Sequence, residues 1–194
     1  MKAAIVYASV HHGNTKKIID EIAKTNDVEL IDATQTVEKD LSEYDLIGFA
    51  SGVYGGKFHQ SVLKFASVNL TDNKNIFLIC TYGGRPVFKS IEQVIAYKHD
   101  TIVGRFSCKG FDTFGPFKMI GGVSKGHPDE KDIAAASMIA IDTIAVENEV
   151  ADNMYQRLEL DYLIYNDPVA YAELILNGNP EAYLKTVTEY KSLY

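Results

Sequence analysis

Cysteine is scarce in this chain of 194 residues: there are two, Cys80 and Cys108, each inside an apolar, strand-like run. That usage excludes a disulfide-built secreted scaffold and predicts buried thiols in a reducing compartment. Long apolar runs are missing as well. No stretch approaches the ~18 residues that a membrane span needs. Met1-Lys2-Ala3 leads straight into an apolar strand with no cleavage-site pattern. A signal peptide is therefore not expected, and the expected location is the cytoplasm. Positive charge is the third shortage. The formal net charge is -7 and the sequence pI about 5.2. An acidic surface repels phosphodiester backbones, so nucleic acid is not an expected partner.

Several chemical signatures are also missing. There is no G-x-G-x-x-G dinucleotide fingerprint, no Walker A loop with its Gly-Lys-Ser/Thr, and no G-x-S-x-G nucleophile elbow. Five histidines stand at 11, 12, 59, 99 and 127. None has a cysteine or carboxylate partner at ligand spacing, and adjacent histidines are badly placed to share one ion, so no metal site is expected.

What remains is an alternation of apolar runs and amphipathic segments. Ala3 to Ala8, Val28 to Asp32, Tyr44 to Ala50, Asn75 to Thr81 and Thr101 to Cys108 read as strands. Thr15 to Lys24 reads as a helix with Ile18, Ile19, Ile22 and Ala23 on one face. Gln60 to Val68 is a second helix. Pro86 to Tyr97 is a third, opened by proline at its first position. Pro128 to about Glu147 is a fourth, with Asp129, Glu130 and Asp132 in its first turn. Strands and helices that alternate in this way demand crossover connections, hence a parallel sheet covered on both faces. The predicted fold is α/β: a doubly wound, five-stranded parallel sheet of order 2-1-3-4-5.

Residues 149–194 break the alternation and read as a helical C-terminal extension to a main domain of residues 1–148. The extension holds three basic residues against eight acidic ones, and seven of the chain's twelve tyrosines. Asp152 to Tyr165 reads as one helix. Asn166-Asp167-Pro168 starts another that stops at Asn177-Gly178, and Asn179-Pro180 starts a third running to about Ser192. Such helices pack on the main domain or on a second subunit, which would make a homodimer.

In an open parallel sheet, ligands bind beyond the carboxyl ends of the strands, beside the switch in strand order. Three loops leave those ends. The first, Ser9-Val10-His11-His12-Gly13-Asn14-Thr15, offers hydroxyls, an amide and a glycine that lets the backbone close on an anion. Helix-start N–H groups complete a phosphate cradle that needs neither lysine nor arginine. A capped helix start would look similar. The second, Ser51-Gly52-Val53-Tyr54-Gly55-Gly56-Lys57-Phe58-His59, sets an aromatic ring beside two glycines. The third, Thr81-Tyr82-Gly83-Gly84-Arg85-Pro86, repeats that pairing. Together the three suit a flat, phosphorylated ring system. Lys57 and His59 flank the proposed ring edge as substrate contacts or a proton donor, or as a solvated lysine and a helix-starting histidine.

On these residues, and on Gly121-Gly122-Val123-Ser124-Lys125-Gly126-His127-Pro128-Asp129-Glu130, residues 1–147 resemble the flavodoxin family. The resemblance implies non-covalent FMN and one- or two-electron transfer. It assigns the phosphate to Ser9, His12, Gly13, Asn14 and Thr15, the two faces of the ring to Tyr54 and Tyr82, and the flavin N5 to the backbone of Gly55 and Gly56. It implies a redox partner protein or a small-molecule electron acceptor. For a carrier, no side chain does acid–base work, because the flavin does the chemistry. The segment from Tyr54 to His59 is also similar to flavodoxin-like protoporphyrinogen oxidases, so an FMN-dependent oxidoreductase acting on a quinone or a porphyrin-type substrate stays open. A cofactor-free interaction module is the third expectation. Two departures stand out: the phosphate loop is one residue longer than usual, with His11-His12 in place of small residues, and the main domain is nearly neutral.

Overall fold

The computed structural model describes residues 2–139, 151, 153–167, 170–171, 174 and 179–189. The chain forms two compact units, Met1–Ala140 and Ile141–Tyr194.

The first unit is built on strand β1 (Ala3–Ala8), whose residues are buried throughout except for a half-exposed Tyr7. Residues that are apolar on both faces can only pair centrally, and β1 lies between β2 (Val28–Asp32) and β3 (Leu46–Tyr54), parallel to each. β5 (Asn75–Tyr82) extends the sheet beyond β3, and β6 (Thr101–Lys109) closes it, both parallel. The order is β2-β1-β3-β5-β6. Counted over the five long strands, that is the 2-1-3-4-5 order expected. The additional strand, β4 (Lys57–Phe58), is short and pairs antiparallel with the end of β3.

Helix α1 (Asn14–Thr25) turns Ile18, Ile19 and Ile22 inward, all fully buried. Helix α2 (Gln60–Asn69) buries Val62, Phe65 and Ala66, and α3 (Lys89–Ile95) buries Ile91 and Ile95. Helix α4 (Glu130–Ile139) begins with a reciprocal cap. The Asp132 backbone N–H donates to Asp129 Oδ1 at 2.9 Å and the Asp129 N–H to Asp132 Oδ2 at 3.0 Å. The predicted residues of this helix beyond 139 lie outside the described ones.

Two local expectations need correction. Residues 51–59 are not an open loop. Ser51 and Gly52 continue β3 opposite Cys80 and Thr81. Val53 and Tyr54 then pair with Phe58 and Lys57 across a tight hairpin. Pro86 does not open a helix either: α3 starts at Lys89, and Val87 stays in the connection, where it walls a cavity.

The second unit has its own small core of Ala151, Leu160, Tyr171 and Leu184. Helix Met154–Asn166 is capped by Asn153, whose Oδ1 accepts from the backbone N–H of Tyr155 and Gln156. Helix Pro180–Glu189 follows. Residues 168–169, 172–173, 175–178 and 190–194, where parts of the predicted second and third helices fall, lie outside the described residues.

Candidate functional site

The loops after β1, β3 and β5 converge at the carboxyl end of the sheet, as the crossover rule requires. A fourth joins them: residues 110–114, after β6. Sequence reasoning did not single it out, although Gly110-Phe111-Asp112-Thr113-Phe114 carries the same pairing of glycine and aromatic side chains.

The first loop makes its turn with two successive residues in the left-handed region, His12 at φ 57° and Gly13 at φ 67°. Glycine adopts that conformation without a steric penalty. The turn frees the helix start. Thr15 is buried, and its Oγ1 lies 2.9 Å from Thr81 Oγ1, tying the first loop to β5. Asn14 Nδ2 donates to the Phe111 carbonyl at 2.7 Å and ties it to the fourth loop. Asn14 Oδ1, equally buried, has no partner. A buried carbonyl oxygen without a donor is costly unless something supplies one. Ser9 does not face the cavity: its Oγ accepts from the Lys16 N–H at 3.1 Å and caps α1.

The paired histidines divide. His11 lines the cavity and lies 5.8 Å from the Tyr54 ring. His12 turns to the fourth loop, with Nε2 2.9 Å from Thr113 Oγ1 and its ring 4.5 Å from that of Phe111. Its side chain is thus exposed and is bonded to the fourth loop.

Tyr54 is folded back along its own strand. A Cβ added at Gly52 would meet its ring at 3.2 Å. The hydroxyl reaches the first loop, where its oxygen accepts the Val10 N–H at 3.2 Å. Burial pushes the phenol above its usual range, while the N–H groups of Val10 and His11 pull the other way. A neutral oxygen thus takes the backbone donors of the loop. His59 packs edge-on against the same ring at 5.0 Å. It starts α2, and its Nδ1 accepts from the Ser61 N–H. Ser51 is structural: its Oγ accepts from the His59 N–H at 2.8 Å and donates to the Gly52 carbonyl.

Tyr54 and Tyr82 border one cavity, together with Asn14, Thr15, Val53 and Thr81, but its volume is only about 70 Å³. Tyr54 and Tyr82, which the resemblance assigns to the two faces of a ring, both stand on the wall of this small space. The larger space adjoins it. A cavity of about 670 Å³ opens between Gly55-Gly56-Lys57 and Gly83-Gly84-Arg85. It shares Val53, Gly55, Gly83, Asp112 and Phe114 with the smaller one. Such a volume falls within the range of small-molecule sites, ~300–1,000 Å³. Of the sixteen residues expected at the site, Ser9, His12, Gly13 and Ser51 line neither cavity.

Among the described residues, one group has metal-ligand spacing: His127, Asp129 and Asp132, with one donor atom each within 4.8 Å of the others. Both carboxylates are engaged in the α4 cap, and His127 Nδ1 is 2.7 Å from Asp132 Oδ2.

Comparison with known proteins gives the following. A family model described as a flavodoxin domain matches residues 4–101. A family of unknown function (DUF6061) matches residues 130–194. An uncharacterised protein of Methanocaldococcus jannaschii is 40% identical over 145 residues, which cover 72% of this chain and 96% of that protein. Among solved structures, oxidised flavodoxin 2 from Bacillus cereus superposes with a TM-score of 0.52 at 21% identity, covering 75% of this chain and 99% of that one. A WrbA-like flavodoxin from Agrobacterium tumefaciens superposes with a TM-score of 0.56 at 16% identity, covering 76% and 98%.

Proposed function

The chain belongs to the flavodoxin-domain family, and from that premise we propose that it binds FMN non-covalently and transfers electrons through it. The observation that carries the reading is the first loop. Its Val10 N–H is directed at an oxygen, and that oxygen is a displaceable phenol. A phosphate is a better acceptor for the same donors at a helix start. The unpartnered Asn14 Oδ1 is a second group that a ligand hydroxyl would satisfy.

The residues present fit the cofactor. The backbone of Val10 to Gly13, with Asn14 and Thr15, would hold the phosphate. Thr81 is tied to Thr15 and would border the sugar chain. The backbone of Gly55, Gly56, Gly83 and Gly84, with Tyr82, would border the ring. Tyr54 would give up the loop donors to the phosphate, and its ring would then border the cofactor. Bound FMN would supply the redox chemistry. The chain's part is to bind it, orient it and limit water at its edge.

Two kinds of acceptor are open to such a protein, a partner protein or a small molecule. The cavity of about 670 Å³ beside Gly55 and Gly83 favours the small molecule, and with it an FMN-dependent oxidoreductase. Among the described residues, no helix is long and apolar enough to cross a membrane.

The test is an FMN titration of the purified protein, followed by absorbance and flavin fluorescence. Stoichiometric uptake with a structured flavin band supports the reading. Steady oxidation of NAD(P)H by a quinone then identifies the enzyme. Colourless protein that takes up no added FMN overturns the reading and leaves a cofactor-free interaction module.

A further inference from the structure

Residues 1–140 carry sixteen lysines and arginines against sixteen aspartates and glutamates, yet the charges are not evenly placed. Away from the site, six cations of the described residues are ion-paired, among them Lys2 with Glu43, Lys24 with Glu21, Lys98 with Asp72 and Arg105 with Glu92. Lys16 with Asp20 and Lys39 with Glu29 follow suit. Others, such as Lys64 and Lys109, have no acid within ion-pair distance among the described residues, and the larger cavity gathers three of this kind. Lys57, Arg85 and Lys89 stand on its wall, and none of the three has an acid within ion-pair distance among the described residues. The single acid on that wall, Asp112, is held in its own turn, where Oδ1 accepts from the Phe114 N–H at 2.7 Å.

Three unpaired cations around one concavity focus a positive field into it and concentrate anions there. The FMN phosphate is not their counterion, since no residue of the first loop lines this cavity. The wall also carries apolar Val53, Val87 and Phe117 and polar Ser90 and Gln93. An acidic protein would need a broad contact surface, ~800 Å² per partner. These charges instead surround a cavity of small-molecule size.

We propose that the part of this cavity beside Lys57, Arg85 and Lys89, next to the glycines that would border the ring, is the substrate site and that it selects an organic anion, a ring-bearing body with carboxylate or sulfonate groups. Arg85 and Lys89 hold the acid groups, with Lys57 opposite them on the hairpin. Arginine is suited to this, because its planar fork matches a carboxylate in two parallel hydrogen bonds. The inference rests on the FMN reading and names the acceptor class for that site.

The experiment uses FMN-loaded protein, with loading measured first by absorbance. The probe is 2,6-naphthalenedicarboxylate, titrated by calorimetry and by its effect on the flavin band, beside its uncharged dimethyl ester. The dicarboxylate is expected to bind, to perturb the band, and to weaken as salt rises. The ester is expected to bind at least about tenfold more weakly. Arg85→Gln and Lys89→Gln are each expected to weaken the dicarboxylate about tenfold, with FMN affinity and melting temperature unchanged. Equal binding of acid and ester overturns the proposal. So do variants that shift FMN affinity or flavin potential while leaving dicarboxylate affinity intact, and so does a site that ignores the dicarboxylate but binds an acidic protein. Failure of FMN loading is a separate result that overturns the redox reading, whereas loaded protein that binds no dicarboxylate overturns this inference alone.

Discussion

The hydroxyl of Tyr54, at the end of β3, accepts the backbone N–H of Val10 at 3.2 Å and so closes the mouth of the loop between β1 and α1. Val10 lies in the first loop and Tyr54 at the end of β3, so whatever displaces the phenol also changes the shape of the space beside Tyr82.

Removing the hydroxyl tests this relationship. Tyr54→Phe keeps the ring but frees the loop donors. A neutral hydrogen bond is worth about 0.5–1.5 kcal/mol net. FMN affinity is therefore expected to rise roughly two- to tenfold, with faster association in stopped-flow fluorescence. A fall in affinity would mean that the phenol contacts the cofactor in the complex and is not an occupant of its phosphate site.

The buried pair Thr15 and Thr81 gives a second prediction. Either hydroxyl can donate across their 2.9 Å contact, and both residues are almost wholly enclosed. Thr15→Val strands the Thr81 hydroxyl and is expected to cost about 1–3 kcal/mol in urea unfolding. Thr81→Val should cost a similar amount. The double variant removes both polar groups and is expected to recover much of the loss, a coupling that a double-mutant cycle measures directly. Additive losses would show that the two hydroxyls do not depend on each other.

These residues also show how far the sequence reads. β1 and β2 carry the same bounds in sequence and structure, because apolar β-rich runs ended by polar loops leave little choice of register. The end of β3 was illegible. Ser51-Gly52-Val53-Tyr54 has the composition of a loop, and it becomes strand because β5 offers Cys80 and Thr81 to its first half and the hairpin offers Phe58 and Lys57 to its second. Pro86 misled for a related reason. Proline is preferred at a helix start, but Val87 is held in the connection as part of the cavity wall. At the site, the residue types were legible and their orientations were not. Nothing local in the sequence says that His12 turns to Thr113, 101 positions away, or that Tyr54 folds back onto Gly52.

The cysteines provide a chemical check. Both are free and buried. Burial pushes the Cys80 thiol up to about 11 and Cys108 also well above its ordinary value. The thiolate is the reactive form. Each group therefore stays neutral below its raised pKa, and at pH 8 about one Cys80 in a thousand is ionised. Neither is expected to react with Ellman's reagent in the native protein. Both should react once denaturant unfolds it, at a rate set by unfolding. Prompt reaction of either thiol in native buffer would contradict its burial.

The hairpin at Gly55-Gly56 separates backbone conformation from space. Both residues have positive φ, 58° and 80°, as a two-residue type I′ loop requires. A Cβ at either position would meet nothing within 4 Å. Any cost of Gly55→Ala thus comes from the left-handed conformation, about 1–2 kcal/mol. Asparagine tolerates that conformation, so Gly55→Asn is expected to lose less than half as much. On the FMN reading, Ala at position 55 should also weaken cofactor binding, because the hairpin borders the ring with its backbone, while Asn should bind almost as the parent does. Open space around a Cβ at position 55 leaves backbone preference as the expected difference between the two variants in stability. Equal stability for Ala and Asn would therefore rule out positive φ as the determinant, and loss of FMN binding in both would make side-chain bulk at the ring the controlling factor.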